Sequence, residues 1–131
     1  MTLDLDVPTF EQKVRSNGIL LVDFWASWCG PCRAFAPVYE EASKEFPEIT
    51  FGKVDTEAQP ELAGAFAIRA IPTLMAFRDG ILVFSQAGAL PGDALRQLIG
   101  AVQSLDMDEV RREVEAAKQQ KPAEKKIIVE G

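Results

Sequence analysis

The stretch Leu20 to Arg33, which reads Leu-Leu-Val-Asp-Phe-Trp-Ala-Ser-Trp-Cys-Gly-Pro-Cys-Arg, dictates most of what this chain can become. Its first half is a continuous apolar run with β-branched and aromatic residues, the pattern of a strand buried on both faces, interrupted by the single acid Asp23. Its second half is a turn that opens a helix. Pro31 suits the first helical turn, where a missing N–H costs nothing, so Cys29 stands at the helix start and Cys32 one turn deeper. A helix start has unpaired N–H groups and the positive end of the macrodipole, and a thiol placed there ionises more easily than a free one. Cys29 is therefore expected to be the thiolate and Cys32 the resolving partner.

The chain has no histidine, which removes the usual general base of a Ser or Cys hydrolase, every Cys/His zinc site and haem attachment through Cys-x-x-Cys-His. Two cysteines cannot close a four-thiolate metal shell, so no metal or other cofactor is expected and redox chemistry is what remains for the pair. With histidine absent, Asp23, the strand carboxylate just upstream, is the best available base; it also reads as half of a plain ion pair. The formal charge of −6, from 14 basic and 20 acidic residues, argues against nucleic acid as a partner. The acidic N-terminus lacks the features of a secretory signal, and no apolar run is long enough to span a bilayer. A cytoplasmic monomer without membrane contacts is expected.

With 131 residues and 47% apolar content, one core is expected. Leu3 and Leu5 suggest a short first strand, and Thr9 with Gln12 a capping box for a first helix that stops near Gly18. The buried strand Ile19 to Trp25 follows. Phe35, Val38, Tyr39, Ala42 and Phe46 recur at helical spacing after the cysteines, with Pro47 ending that helix and Pro37 inside it. Ile49 to Asp55 should return as a parallel strand through a right-handed crossover, which places Cys29 at the C-terminal edge of the sheet. Pro60 starts a short helix, Thr73 to Arg78 is a strand, Asp79-Gly80 a hairpin turn, and Ile81 to Ala87 the antiparallel return. Leu95, Leu98, Ile99 and Val102 mark a core-facing helix. Beyond Leu105 the chain is charged with a thin stripe at Met107, Val110, Val114 and Ala117, turned by about a quarter-turn from the preceding one. A helix over about 106–120, ended by Lys121-Pro122, and then a flexible tail are expected.

Val22-Asp23-Phe24-Trp25-Ala26, Trp28-Cys29-Gly30-Pro31-Cys32, Lys53, Asp55, Ile71-Pro72-Thr73, Phe77, Gly80 and Gly88-Ala89-Leu90 together make residues 1–104 resemble the thioredoxin family. Residues 105–131 stand outside the resemblance as a C-terminal extension. The resemblance implies an α/β thioredoxin fold, a central mixed five-stranded sheet flanked by four helices. It implies a protein-disulfide reductase in which Cys29 attacks a client disulfide, a mixed disulfide forms and Cys32 resolves it, with a thioredoxin reductase as electron donor. Gly30-Pro31 is the dipeptide of reducing members. By position, Asp23 would handle the Cys32 proton with Lys53 nearby, and Pro72 would sit in a cis peptide facing the cysteines. Trp28, Gly30, Pro31, Ile71, Gly88 and Ala89 would complete an apolar client-docking surface. Ala70 stands where many members have Gly, which would narrow that surface, and Arg33 where Lys is common. Lys53 also reads as a solvated lysine and the tryptophans as core aromatics, and a binding module using the same apolar surface is the alternative function. Cysteine dependence separates the two.

Overall fold

A computed structural model describes the backbone of residues 1–130 and the side chains of residues 1–119. The elements follow in the order β1 (Thr2–Asp4), α1 (Val7–Arg15), β2 (Ile19–Trp25), α2 (Gly30–Glu45), β3 (Thr50–Asp55), α3 (Pro60–Ala65), β4 (Thr73–Arg78), β5 (Ile81–Ala87), α4 (Gly92–Gln103) and α5 (Met107–Glu130). They form one mixed sheet of order β1-β3-β2-β4-β5, parallel across its first three strands and antiparallel across the last three. This is the expected thioredoxin fold, with a fifth helix appended.

Strand alternation sends the β2 side chains to two cores. Leu21 joins Phe51, Leu74 and Ala76 under Phe35, Tyr39 and Ala42 of α2 and Leu95, Ile99 and Val102 of α4. Leu20, Val22 and Phe24 face the other way, toward Phe10 of α1, Leu62 of α3, and Met75 and Phe77 of β4. Burial on both faces explains why β2 carries no alternating polar positions. Asp23 lies two residues from Leu21 and so falls on the α2 side, fully buried. In the turn between β4 and β5, Asp79 (φ 52°) and Gly80 (φ 84°) are both left-handed, as a two-residue hairpin of this hand requires. The Asp79 carboxylate and N–H also bond the Gly18 backbone, at 2.8 and 2.9 Å, fixing the hairpin beside the start of β2.

Two expectations are corrected. The N-cap of α1 is Asp6 rather than Thr9: Asp6 Oδ1 accepts from the Thr9 N–H at 3.0 Å while Thr9 Oγ1 accepts from the Asp6 N–H at 2.8 Å. The box is present three residues earlier than read, because Asp caps at least as well as Thr and Pro8 fits the first turn. The last helix does not stop at Lys121-Pro122 but runs to Glu130. The bias of a pre-proline residue against helix is a preference only, and α2 likewise continues through Pro37. Gly131 lies outside the described residues.

A break before α5 produces the quarter-turn offset of its stripe. Ser104 ends α4, and Asp106 Oδ1 then accepts from the N–H groups of Asp108 and Glu109 at 3.1 and 3.3 Å, capping α5. The Arg78 guanidinium holds this joint from the end of β4, donating to the carbonyls of Val102, Gln103 and Leu105 at 2.9 to 3.1 Å. Leu105 packs on the core, Met107 is buried, and Val110 and Val114 line a cavity of about 360 Å³ shared with Ile81, Leu82 and Val83 of β5. Among the described residues no helix is long and apolar enough to cross a membrane.

Candidate active site

The β2 strand ends at Trp25, the chain turns through Ala26 to Trp28, and Cys29 becomes the N-cap of α2 in extended conformation. The turn is held by the Cys29 N–H on the Ala26 carbonyl at 3.2 Å and by the Arg33 guanidinium on the Ser27 carbonyl at 2.9 Å. Arg33 was read from sequence only as a charge beside the motif; it also ties the turn to the helix. Cys29 and Cys32 form a disulfide, and the Cys32 N–H donates to Cys29 Sγ at 3.1 Å. Cys29 thus uses its sulfur as the cap acceptor, so negative charge on that sulfur would be met by an aimed N–H and the helix dipole. Area does not set Cys29 apart from its partner. In the disulfide both residues are buried, at 4% and 2% exposure, because Cys29 Sγ is turned inward among Ala26, Trp25 and Ile71.

The facing loop brings the other chain segments in. The Ile71–Pro72 peptide is cis, and the Ile71 carbonyl lies 3.7 Å from Cys29 Sγ. The Pro72 carbonyl accepts from the Gly88 N–H at 2.8 Å, joining the start of β4 to the end of β5. Gly88 has φ 108°, a conformation that disfavours any other residue at this junction. Thr73 Oγ1 donates to the Ala70 carbonyl at 2.6 Å, a bond the sequence reading missed. Around this loop Trp28 is 65% exposed, Gly30, Pro31, Gly88 and Ala89 are exposed, and Ile71 is half-buried. Trp28 is an exposed aromatic beside the cysteines, whereas Trp25 is half-buried and packs against them, its indole Nε1 without a partner among the described residues.

In the strand that leads to the cysteines, Asp23 faces Lys53 across the β2–β3 register, yet neither carboxylate oxygen has a hydrogen-bond partner among the described residues. The Lys53 ammonium instead lies over the Trp25 ring, 4.6 Å from its centroid. That geometry disfavours the plain ion-pair reading of Asp23. Burial raises the Asp23 pKa from 3.8 to about 7, with the Lys53 charge pulling it partly back. A carboxyl so placed can exchange its proton near neutral pH. Tyr39, read from sequence only as a core residue, donates its buried hydroxyl to the Gly52 carbonyl at 2.8 Å. Burial first and the Asp23 charge second hold that phenol well above its ordinary pKa, so it stays protonated. The signal for this bond was a tyrosine at a core helical position, whose O–H needs a partner.

The described residues contain no group of three or more His, Cys, Asp or Glu placed to hold a metal ion. The chemistry available is that of a redox-active disulfide at a helix N-terminus, with a buried carboxyl of raised pKa in the preceding strand and exposed Trp28, Gly30, Pro31, Gly88 and Ala89 around it.

Comparison with known proteins gives a consistent result. A family model described as thioredoxin matches residues 1–101. A curated relative from Streptomyces coelicolor, described as a putative thioredoxin 2, is 57% identical over 113 residues, covering 86% of this chain and 84% of that one. Because 113 aligned residues exceed 104, that match reaches into the C-terminal extension, whereas the family model ends at residue 101. The thioredoxin of Listeria monocytogenes is 42% identical over 100 residues, covering 76% of this chain and 96% of that one. Among solved structures, a Plasmodium falciparum thioredoxin superposes with a TM-score of 0.71 at 35% identity, over 76% of this chain and 98% of the other.

Proposed function

The chain belongs to the thioredoxin family, and from that premise we propose how its own residues carry out the thiol–disulfide oxidoreductase reaction that the family and the Cys29–Cys32 pair establish. In the dithiol form the Cys29 thiolate attacks one sulfur of a client disulfide. That S–S bond breaks, one client sulfur leaves as a thiolate and takes up a proton, and Cys29 is joined to the client by a mixed disulfide. Asp23 accepts the Cys32 proton, and the resulting Cys32 thiolate attacks Cys29 Sγ. The second client thiol departs and two electrons have passed to the client, leaving the Cys29–Cys32 disulfide.

Trp28, Gly30, Pro31, Ile71, Gly88 and Ala89 form the client-docking surface in this reading, with Pro72 presenting the Ile71 carbonyl to the incoming chain as an added strand would be presented. Lys53 limits how far burial raises the Asp23 pKa. Members of the family act on disulfide substrates with thioredoxin reductase, and we assign this chain the same donor. We place it in the cytoplasm, where thiols are kept reduced, as a monomer. Residues 1–104 are the catalytic unit and 105–131 an appendage docked through Leu105 and Met107. The observation that carries the reading is the Cys32 N–H on Cys29 Sγ at a helix start, beside the Ile71 carbonyl.

Reduction of a disulfide-linked peptide, with a thioredoxin reductase supplied, tests it. The Cys29→Ser, Cys32→Ser protein should lose all turnover, while retention of activity would mean that the apolar surface acts without the sulfurs.

A further inference from the structure

The α1/α3 core takes buried side chains from β2, β3 and β4 but none from β5, so the outer strand is uncovered on that face. A trough of about 230 Å³ lies there, between the end of β5 and the loop after α3. Its walls are mostly apolar and include Phe66, Arg69, Ala70, Met75, Ser85 and Ala87. Taking a water's share of liquid volume as about 30 Å³, it has room for on the order of eight waters, enough for one or two side chains of an extended segment. Two of its walls run directly into the proposed docking surface: Ala70 precedes Ile71-Pro72, and Ala87 precedes Gly88. A client chain with its cysteine at Cys29 would continue into this trough on one side of that cysteine.

The electrostatics of the trough differ from those of the molecule. The chain carries a net −6, yet the lining contains no acid and a single cation, Arg69. Arg69 is exposed, and among the described residues it takes part in no ion pair within 4.0 Å. Arg33, the other guanidinium near the cysteines, donates to the Ser27 carbonyl on the α2 side. A guanidinium without an ion-pair partner among the described residues, on the wall of a mostly apolar trough continuous with the docking surface, is suited to a carboxylate.

We propose that this trough is an extension of the client-binding surface that takes the polypeptide flanking the client's reactive cysteine, and that Arg69 there selects clients with an acidic residue close to that cysteine. The proposal rests on the reading of the Cys29 site as the place where clients dock. No bond is made or broken in the trough, so its effect appears in KM more than in kcat.

The test compares two disulfide-linked peptides that differ only in having Glu or Lys within four residues of the cysteine. Wild type should favour the Glu peptide in kcat/KM by about two- to five-fold, the range expected of an exposed ion pair. The preference should reside in KM and fade at high salt. Arg69→Gln should abolish it, Arg69→Glu should invert it, Ser85→Lys should enlarge it because Ser85 pairs with Met75 and shares its face, and Arg33→Gln should leave it in place. Each ratio is internal to one protein, so a general loss of activity cancels. Absence of the preference in wild type, or its survival in Arg69→Gln, would overturn the proposal while leaving the oxidoreductase reading intact. Failure of wild type to reduce the small neutral bis(2-hydroxyethyl) disulfide would instead overturn the site reading, and this proposal with it.

Discussion

Asp23 carries a stability cost of known sign. Its pKa is about 7 in the folded protein against an ordinary 3.8. Below both values the group is protonated in either state and costs nothing. Between them the unfolded chain releases a proton that the folded chain keeps, so stability falls as pH rises through that window and is level above it. The gap corresponds to roughly 4 kcal/mol. Asp23→Asn should therefore gain stability over wild type progressively between pH 4 and pH 7, as measured by urea denaturation. The same variant should release the mixed disulfide more slowly in stopped-flow experiments, without the wild-type rise in rate near pH 7. A parallel pH dependence in the two proteins would mean that Asp23 is already ionised in the folded state. For the sulfurs, brief iodoacetamide treatment of the reduced protein at neutral pH should label Cys29 and spare Cys32, as read by peptide mapping. The geometry assigns that difference to the N–H and dipole at Cys29 rather than to exposure, which is low for both. At this scale the sequence announces types and spacing: two cysteines three apart, a proline between them, an acid in an apolar strand. It does not announce the partners of Tyr39, Thr73 and Arg33, because each bonds a backbone carbonyl, and every residue has one.

Elements whose signals agree were readable to the residue. For β2, β4 and β5 the apolar runs are bounded by turn chemistry, Gly18 before one and Asp79-Gly80 between the others, and their observed limits match the expected ones. Where two residues could serve one purpose the reading slipped, as at α1, where both Asp6 and Thr9 can cap. The cysteine helix was located by Pro31, since proline at a first turn marks a start with little ambiguity. The joint between α4 and α5 was visible only as a phase change in the apolar stripe. What holds it, Arg78, lies some twenty-five residues upstream in β4, beyond the reach of any local pattern. Its guanidinium serves three carbonyls left open by the end of α4 and the turn that follows. Arg78→Met, which keeps an apolar stem but no donor, should lower stability by about 2 kcal/mol, the scale of lost bonds to a charged donor. Cysteine reactivity should be unaffected. Urea denaturation with iodoacetamide labelling in parallel checks both parts.

Across the whole molecule, chemistry and appendage sit at opposite ends of the sheet. The cysteines follow the C-terminal end of β2, and β4 begins beside that end, with Thr73 opposite Phe24. It finishes at Arg78 opposite Ile19, where β5 starts and α5 is anchored. Removing residues 106–131 therefore takes none of the described residues around the cysteines. It does take Met107, which is buried, and it uncovers the apolar run of Ile81, Leu82 and Val83 on an edge strand, where Leu82 is already 43% exposed. Among the described residues the two large core clusters contain none beyond Leu105, so the shortened chain is expected to fold, but the loss of a buried methionine and two half-buried valines should cost about 2 to 4 kcal/mol. An exposed edge also invites pairing between copies. The chain ending at Leu105 should accordingly fold, reduce bis(2-hydroxyethyl) disulfide within about two-fold of wild type, unfold at lower urea, and associate more readily at high concentration, as seen by light scattering. A shortened chain with full stability would make α5 an independent attachment. One that cannot fold would place α5 in the core, and one that folds with little turnover would show that α5 acts on the cysteines from the far end of the sheet.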